Sequence, residues 1–327
     1  MKILIIRFSS IGDLAQALSI PGFLKEADSK TEVHFATRAD LAPLTQNNPF
    51  IQKVWPLDKG TGIAGLFRLI QQLRRERFTH IYDAHNNLRS FLIRLCIPSP
   101  KKLVRPMFRF KRLMLLKFHV NLFEKPFSGQ RDLIQPLAKW NYNFKLPKTP
   151  QIFLNQTTVD EAAAILAKFS LQEYYVLVPS ATYELKRWPI SHWQRLIEIN
   201  SEKKFVVLAG KDDSFTAHLD VFKNVINLTG KTTLLQSAAV IHRAVAVVSN
   251  DTGLLHIAEQ LGKPAIALMG PAPFGFPSRP STVILERELK CRPCSKHGQG
   301  PCVNPVFQDC LRSISPEHVS ERLNQIS

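Results

Sequence analysis

Several loops of this 327-residue chain carry side chains suited to binding a phosphorylated, hydroxyl-bearing ligand. In Asn250-Asp-Thr-Gly253 an apolar run, Ala244 to Ser249, gives way to a polar turn that feeds a helical pattern from Leu254 to Leu261. The unpaired backbone N–H groups at such a helix start attract an anion, a phosphate above all. The alternative is that Asp251 only caps the helix while Gly253 relaxes the turn. Lys186, in the loop Pro179 to Pro189, has the charge to neutralise a pyrophosphate, or it is simply solvated. Asp212 and Asp213 follow Leu208-Ala-Gly210, where an acid could take the two hydroxyls of a ribose.

Asp13 ends Phe8-Ser-Ser-Ile-Gly-Asp13, at the start of a helix that follows an apolar strand. It is either a helix-starting Asp or a carboxylate held ready as a base. A dinucleotide fingerprint needs three glycines at fixed offsets, and only Gly12 is present. Gly230-Lys-Thr-Thr resembles the tail of a P-loop, but Val225 stands where the required glycine would be, which excludes a Walker site. Asp83-Ala-His85 is read as lining or capping. Cys291, Cys294, Cys302 and Cys310 cluster near His297, and in a reducing compartment they are either a structural zinc site or free thiols.

The elements that must position these residues alternate. Strand and helix pairs run from Lys2 to Leu95, and again from Val159 to Met269, which predicts α/β architecture with parallel sheets. Lys145-Leu-Pro-Lys-Thr-Pro150 reads as a linker. The domains expected are therefore 1–150 and 151–314, followed by a last helix over 315–327 that starts at the Ser315-Pro cap. Two such domains would leave a ligand-binding cleft between facing strand ends.

Charge separates the halves. Residues 1–150 hold 25 Lys/Arg against 10 Asp/Glu, and the remainder 18 against 16. The first half should therefore meet a polyanion: nucleic acid, an anionic bilayer or a phosphorylated substrate. Between Lys101 and Arg131 nine Lys/Arg face one acid, Glu124, among large apolar residues. A helix from Pro106 would place Arg105, Arg109 and Arg112 on one face, and Met107, Phe110, Met114 and Phe118 on another. That pattern suits an anionic membrane surface or a phosphorylated lipid, and equally a core helix with a solvated basic face. No nucleic-acid motif accompanies it. No run of eighteen apolar residues is present, and the short apolar start is interrupted by Arg7, so a cytoplasmic location is expected.

Four motifs, Phe8-Ser-Ser-Ile-Gly-Asp13, Lys186-Arg-Trp-Pro189, Leu228-Thr-Gly-Lys-Thr-Thr-Leu234 and Asp251-Thr-Gly-Leu-Leu-His256, stand in the order and spacing of the bacterial heptosyltransferases of glycosyltransferase family nine. The chain resembles that family from residue 1 to about residue 320. The resemblance implies a GT-B fold: two Rossmann-like domains with parallel sheets facing an interdomain cleft, the last helix placed to return to the first domain. It implies an ADP-heptose or similar nucleotide-sugar donor in the second domain. A phosphorylated lipid A-core acceptor would be held by the first, by a monomer at the cytoplasmic face of the inner membrane with no cofactor required. By that resemblance Asp13 is the general base, Thr182 and Lys186 contact the diphosphate, Asp212 the ribose, and Thr232 lies near the nucleobase. Asp251, Thr252, Gly253, Leu254 and His256 form the phosphate turn, and the acceptor is expected at Ser10, Gly12, Arg89, Arg105, Arg109 and Arg112. Ala181, Asn86-Asn87 and Met269 to Pro277 depart from the family's usual pattern, which leaves the donor sugar less determined than the reaction class.

Overall fold

The computed structural model describes residues 1–169, 171 and 173–326. They fall into two units: Met1–Phe108 with Gly129–Phe153, and Arg109–Ser128 with the chain from Leu154 onward. Each is built on a wholly parallel sheet.

In the first unit β1 (Lys2–Ile6), β2 (Glu32–Arg38), β3 (Lys53–Leu57), β4 (His80–Asp83) and β5 (Lys101–Val104) lie in the order β3-β2-β1-β4-β5. Ile3, Leu4, Ile5 and Ile6 are fully buried, as a central parallel strand covered on both faces requires. The helix Gly62–Arg75 presents Leu66, Leu69, Ile70 and Leu73 to the core, the i, i+3, i+4, i+7 stripe of an amphipathic helix. β5 escapes a pattern-based reading because it is a four-residue edge strand beginning Lys101-Lys102. Charged residues at an edge discourage further strand pairing.

In the second unit β6 (Tyr175–Val178), β7 (Phe205–Val207), β8 (Val225–Asn227), β9 (Val247–Asn250), β10 (Ala265–Met269) and β11 (Thr282–Glu286) lie in the order β11-β10-β9-β6-β7-β8. Trp188 and Trp193 meet edge to face with ring centres 5.0 Å apart, and Trp188 Nε1 donates to Ile314 O at 2.9 Å. The last helix, Pro316–Asn324, differs from the expectation of a return to the first domain. Its Val319 and Leu323 are fully buried in the second unit's core beside Trp193, and Ser320 Oγ donates to Asn200 Oδ1 at 3.0 Å.

The basic segment also departs from expectation. Its helix is Arg109–Phe118, beginning three residues after Pro106, and Phe108 takes a left-handed conformation at φ 46°. Arg109–Ser128 groups with the second unit because its aromatic side chains pack there. Phe123 lies 5.5 Å from Phe274, Phe127 lies 5.4 Å from Phe276, and Ser128 Oγ donates to Ser278 Oγ at 2.8 Å. The chain thus crosses between units near residues 108, 128 and 153 where a single boundary after 150 was expected. No helix of the described residues is long and apolar enough to cross a membrane.

Glu259 holds the loop after β10 in place. Fully buried, it accepts hydrogen bonds at Oε1 from the backbone N–H groups of Ser278 (2.6 Å) and Arg279 (2.9 Å), and its Oε2 lies 3.1 Å from His256 Nδ1. Glu259→Leu would strand two backbone N–H donors. A loss of about 3 kcal/mol is expected, read as a lowered urea midpoint; an unchanged midpoint would show that solvent reaches this loop.

Candidate active site

In each sheet the chain reverses its direction of winding between two neighbouring strands, β1 and β4 in the first unit and β6 and β9 in the second. Loops diverge at the carboxyl ends of such a pair, which opens a crevice there. Both units place their candidate residues at this point.

In the first unit Asp13 lies in the opening turn of the helix Ile11–Ala17, directly after β1. Its Oδ2 receives Arg7 Nη2 at 2.6 Å, Ser10 Oγ at 3.0 Å and Ser10 N at 3.3 Å. Arg7 is buried, and its Nη1 donates to Ala84 O at 2.6 Å, so one guanidinium ties the β1 loop to the β4 loop. Burial alone would raise the Asp13 pKa. The positive charges of Arg7 and Arg105 and the two Ser10 hydrogen bonds outweigh it and hold the carboxyl at about 2. His85 follows β4 and is pushed down to about 4, by burial first and then by the charge of Arg7, so its imidazole is neutral at physiological pH.

The structure separates arginines that the sequence places on one helix face. Arg105 follows β5 in the first unit, where its charge acts on Asp13 and its carbonyl accepts from Asn86 Nδ2 at 2.9 Å. Arg109 and Arg112 belong to the second unit, with Arg109 exposed and the Arg112 guanidinium 4.6 Å from the Phe274 ring centre. The helix starts too late to include Arg105, which is why the three do not share a face. Ser10, just before the helix Ile11–Ala17, is exposed and Gly12 within it is half-buried, while Arg89 is exposed in the first turn of the helix Leu88–Cys96 after β4.

In the second unit Lys186, in the single helical turn Glu184–Lys186 after β6, forms an ion pair with Asp251 after β9. The Lys186 side chain is 16% exposed and that of Asp251 7%, so the pair sits in a recess that still opens to solvent. Asn250 fixes the relation of the two loops. Its buried side chain donates through Nδ2 to Pro179 O at 2.7 Å and accepts at Oδ1 from Trp188 N at 3.0 Å. Immediately beyond the pair the helix Gly253–Gln260 begins, with Thr252 extended at its N-cap position but making no side-chain capping bond, and Gly253 and Leu254 in its half-buried first turn. Its free N–H groups and positive dipole end make this an anion-binding position.

The other sequence-identified residues surround that position unevenly. Thr182 and Asp212 are exposed in the loops after β6 and β7, and Thr232 is half-buried with its Oγ1 2.9 Å from Ser237 Oγ. Asp213, beside Asp212, is held by Gly210 N at 2.9 Å and approached by Arg187 Nη2 at 3.5 Å. His256 is buried and directed to Glu259, so it acts on the turn by holding the buried carboxylate.

The cysteine segment has a place that its spacing does not suggest. Cys291, Cys294, Cys302 and Cys310 line one small cavity with Leu185. From this segment Gln308 Nε2 donates to Glu184 O at 2.6 Å, and Gln299 Nε2 to Tyr183 OH at 2.9 Å. It therefore buttresses the turn that carries Lys186. Gly298 lies against that lysine at φ +84°, and a β-carbon there would come within 2.6 Å of Lys186 Cγ. Between a zinc site and free thiols the structure shows no arranged metal group: among the described residues no set of three or more His, Cys, Asp or Glu side chains is placed to hold a metal. The sulfurs take part in the fold. Those of Cys291 and Cys302 accept from Asn304 Nδ2 and Gln308 N, at 3.4 and 3.3 Å, and burial pushes the Cys310 thiol up to about 11.

Arg7 and Gly298 escape a motif-based reading, and His85 and Asn250 are seen there only as members of polar loops. The one available signal was Arg7, a charged residue at the end of an otherwise apolar strand.

Comparison with known proteins agrees with this architecture. The sequence profile described as glycosyltransferase family 9 (heptosyltransferase) matches residues 66–300. Lipooligosaccharide heptosyltransferase 2 of Haemophilus influenzae is 29% identical over 359 aligned positions, covering 100% of this chain and 99% of that protein. The glycosyl transferase family 9 structure from Veillonella parvula superposes with a TM-score of 0.82 at 19% identity, over 99% of this chain and 96% of that one. The ADP-heptose lps heptosyltransferase II structure of E. coli gives 0.73 at 22% identity, over 100% and 98%. The fold is thus the α/β GT-B type expected from the sequence.

The Arg7–Asp13 pair makes a pH-dependent contribution to stability. Because the folded pKa of Asp13 is depressed to about 2, that contribution is present above the ordinary carboxylate pKa and is lost as pH falls from about 4 toward 2. Arg7→Met should therefore lie well below the wild type in urea midpoint at pH 6, with the gap narrowing at pH 3. A gap independent of pH would show that Arg7 acts only through its bond to Ala84.

Proposed function

The chain belongs to glycosyltransferase family 9 (heptosyltransferase), and from that premise we propose that it transfers a heptose from ADP-heptose to a lipopolysaccharide inner-core acceptor with inversion at the anomeric carbon. The observation that carries the donor half of this reading is the Lys186–Asp251 pair at the head of the helix Gly253–Gln260. The donor's name comes from the E. coli relative and the acceptor's class from relatives named as lipopolysaccharide or lipooligosaccharide heptosyltransferases.

The diphosphate takes the backbone N–H groups of Thr252, Gly253 and Leu254 together with Lys186. Asp251, itself an anion, does not bind phosphate; it aims the ammonium group at the helix start. Thr182 adds a hydroxyl to the diphosphate, Asp212 accepts from the ribose hydroxyls, and Thr232 lies near the base. As the glycosidic bond breaks, negative charge grows on the departing diphosphate, and Lys186 with the helix dipole stabilises it where it forms. The protein thus supplies this charge from its own groups.

Asp13 is the base that takes the proton from the attacking hydroxyl. At a pKa of about 2 it is ionised at every physiological pH but is a weak proton acceptor. That combination suits an oxocarbenium-like transition state, in which the hydroxyl becomes acidic only once its oxygen has begun to bond to the sugar. Arg7 positions the carboxylate, and Ser10, Gly12, Arg89 and Arg105 of the same unit serve the phosphorylated acceptor.

Two variants separate these roles. Asp13→Ala should retain ADP affinity by calorimetry while transfer to a core acceptor, read by mass, falls about 10²–10⁴-fold; transfer at the wild-type rate would remove Asp13 from the mechanism. Gly298→Ala should displace Lys186 and weaken ADP binding about tenfold, consistent with one lost charge-assisted contact. Unchanged affinity would show that Lys186 does not carry the diphosphate.

A further inference from the structure

All five cysteines are free thiols, and four of them line one small cavity together with Leu185 of the turn Glu184–Lys186. The transfer reaction uses none of them. Two of these sulfurs converge on a single residue: Asn304 Nδ2 donates to Cys291 Sγ at 3.4 Å, and Cys302 Sγ donates to Asn304 O at 4.0 Å. An N–H directed at a sulfur stabilises negative charge there, and the negative sulfur is the nucleophile in thiol oxidation. Cys291 and Cys302 each receive such a bond, the second from Gln308 N at 3.3 Å. Burial acts the other way on the remaining two, raising the thiol pKa of Cys294 and pushing that of Cys310 up to about 11. Cys302 is also one hydrogen bond away from the lysine turn. Gln308, which donates to it, sends Nε2 to Glu184 O at 2.6 Å and to Arg187 O at 3.4 Å, so a single side chain holds both ends of the turn that carries Lys186. Gln308 is buried and left-handed at φ 54°, a conformation that a glutamine keeps only while its contacts fix it.

We propose that Cys291 and Cys302 form a reversible disulfide in response to hydrogen peroxide, and that this bond loosens the Lys186 turn and lowers the affinity for a nucleoside diphosphate. One thiolate attacks a peroxide oxygen and becomes a sulfenic acid, while the departing hydroxide takes up a thiol proton as water. The second thiolate then attacks the oxidised sulfur, the S–S bond forms, and the hydroxide it expels leaves as a second water. Two thiols and one hydrogen peroxide thus give one disulfide and two waters, with two electrons passing from sulfur to oxygen. A disulfide holds its sulfurs about 2 Å apart. Two sulfurs that now meet different atoms of Asn304 must draw together to reach that distance, which takes Cys302 Sγ away from Gln308 N. Gln308 then loses the bond that fixes its backbone, and its amide no longer holds Glu184 and Arg187 in register. The inference rests on the reading of Lys186 as the cation of the diphosphate site and adds to it a control by thiol oxidation.

The full chain tests it, treated with hydrogen peroxide and then with dithiothreitol, with peptide mass mapping to locate the disulfide and calorimetry to measure ADP binding. Peroxide should produce a Cys291–Cys302 cross-link and weaken ADP binding about tenfold, the value of one charge-assisted contact, and dithiothreitol should reverse both. Cys291→Ser and Cys302→Ser should each keep their untreated affinity in peroxide. Cys96→Ser, which changes the cysteine of the other unit, should respond as the wild type does. The proposal is overturned if peroxide yields no such cross-link, if the cross-link forms and affinity is unchanged, or if both serine variants still lose affinity. It is equally overturned if elemental analysis of the purified chain finds one zinc or iron ion per molecule that the Cys291→Ser and Cys302→Ser variants lack. Lys186→Met separates this outcome from failure of the reading beneath it. Unchanged ADP affinity in that variant removes Lys186 from the diphosphate site, and the switch with it; a weakened variant beside a cross-linked wild type of full affinity removes the switch alone.

Discussion

Parallel pairing of β6 with β9 is the constraint from which the second unit's chemistry follows. It sets side by side two strand ends that lie 71 residues apart between Asn250 and Pro179, and a parallel sheet forces the helices after them to leave in different directions. The gap so formed would expose unpaired backbone. Asn250, at the end of β9, closes it with one amide that holds both ends of the loop after β6, and only with that span fixed can Lys186 and Asp251 meet in front of a helix N-terminus. The same logic recurs between β1 and β4, where Arg7 is the bridging group and Asp13 is the residue held.

Both sites place buried or half-buried charges in pairs, and each pair has an orienting partner. An isolated carboxylate in these positions would lose several kcal/mol of hydration, so Asp13 has Arg7 and Ser10, Asp251 has Lys186, and Glu259 has two backbone donors and a histidine. The same groups that lower the cost of burial also fix the direction in which each carboxylate points. Function and stability are therefore coupled at these residues, and the cysteine segment extends the coupling to Lys186 by packing behind its turn.

The alternation of elements was legible because most strands here are central ones: Lys2–Ile6 or Ala265–Met269 can be read as continuous apolar runs. The edge strands β5 and β11 were not, since β5 begins with two lysines and β11 is a short, half-buried run that ends in an exposed glutamate. The Asn250–Gly253 turn was legible from its polarity and its glycine. Its dependence on Asn250 was not, because an asparagine that bridges two loops looks in sequence like any turn asparagine. Pro106 suggested a helix start, yet Phe108 takes a left-handed conformation and the helix begins only after it.

The sequence by itself determined the α/β class, the family and the residue types at each strand end, because periodicity, turn chemistry and motif spacing are properties of neighbours along the chain. Tertiary structure decided which of those residues act together. Arg105 acts on Asp13, the last helix completes the second unit's core, and the segment that carries four cysteines braces a lysine loop more than a hundred residues earlier. Those outcomes rest on contacts between distant segments, whose partners are chosen by packing and burial and leave no mark on local spacing.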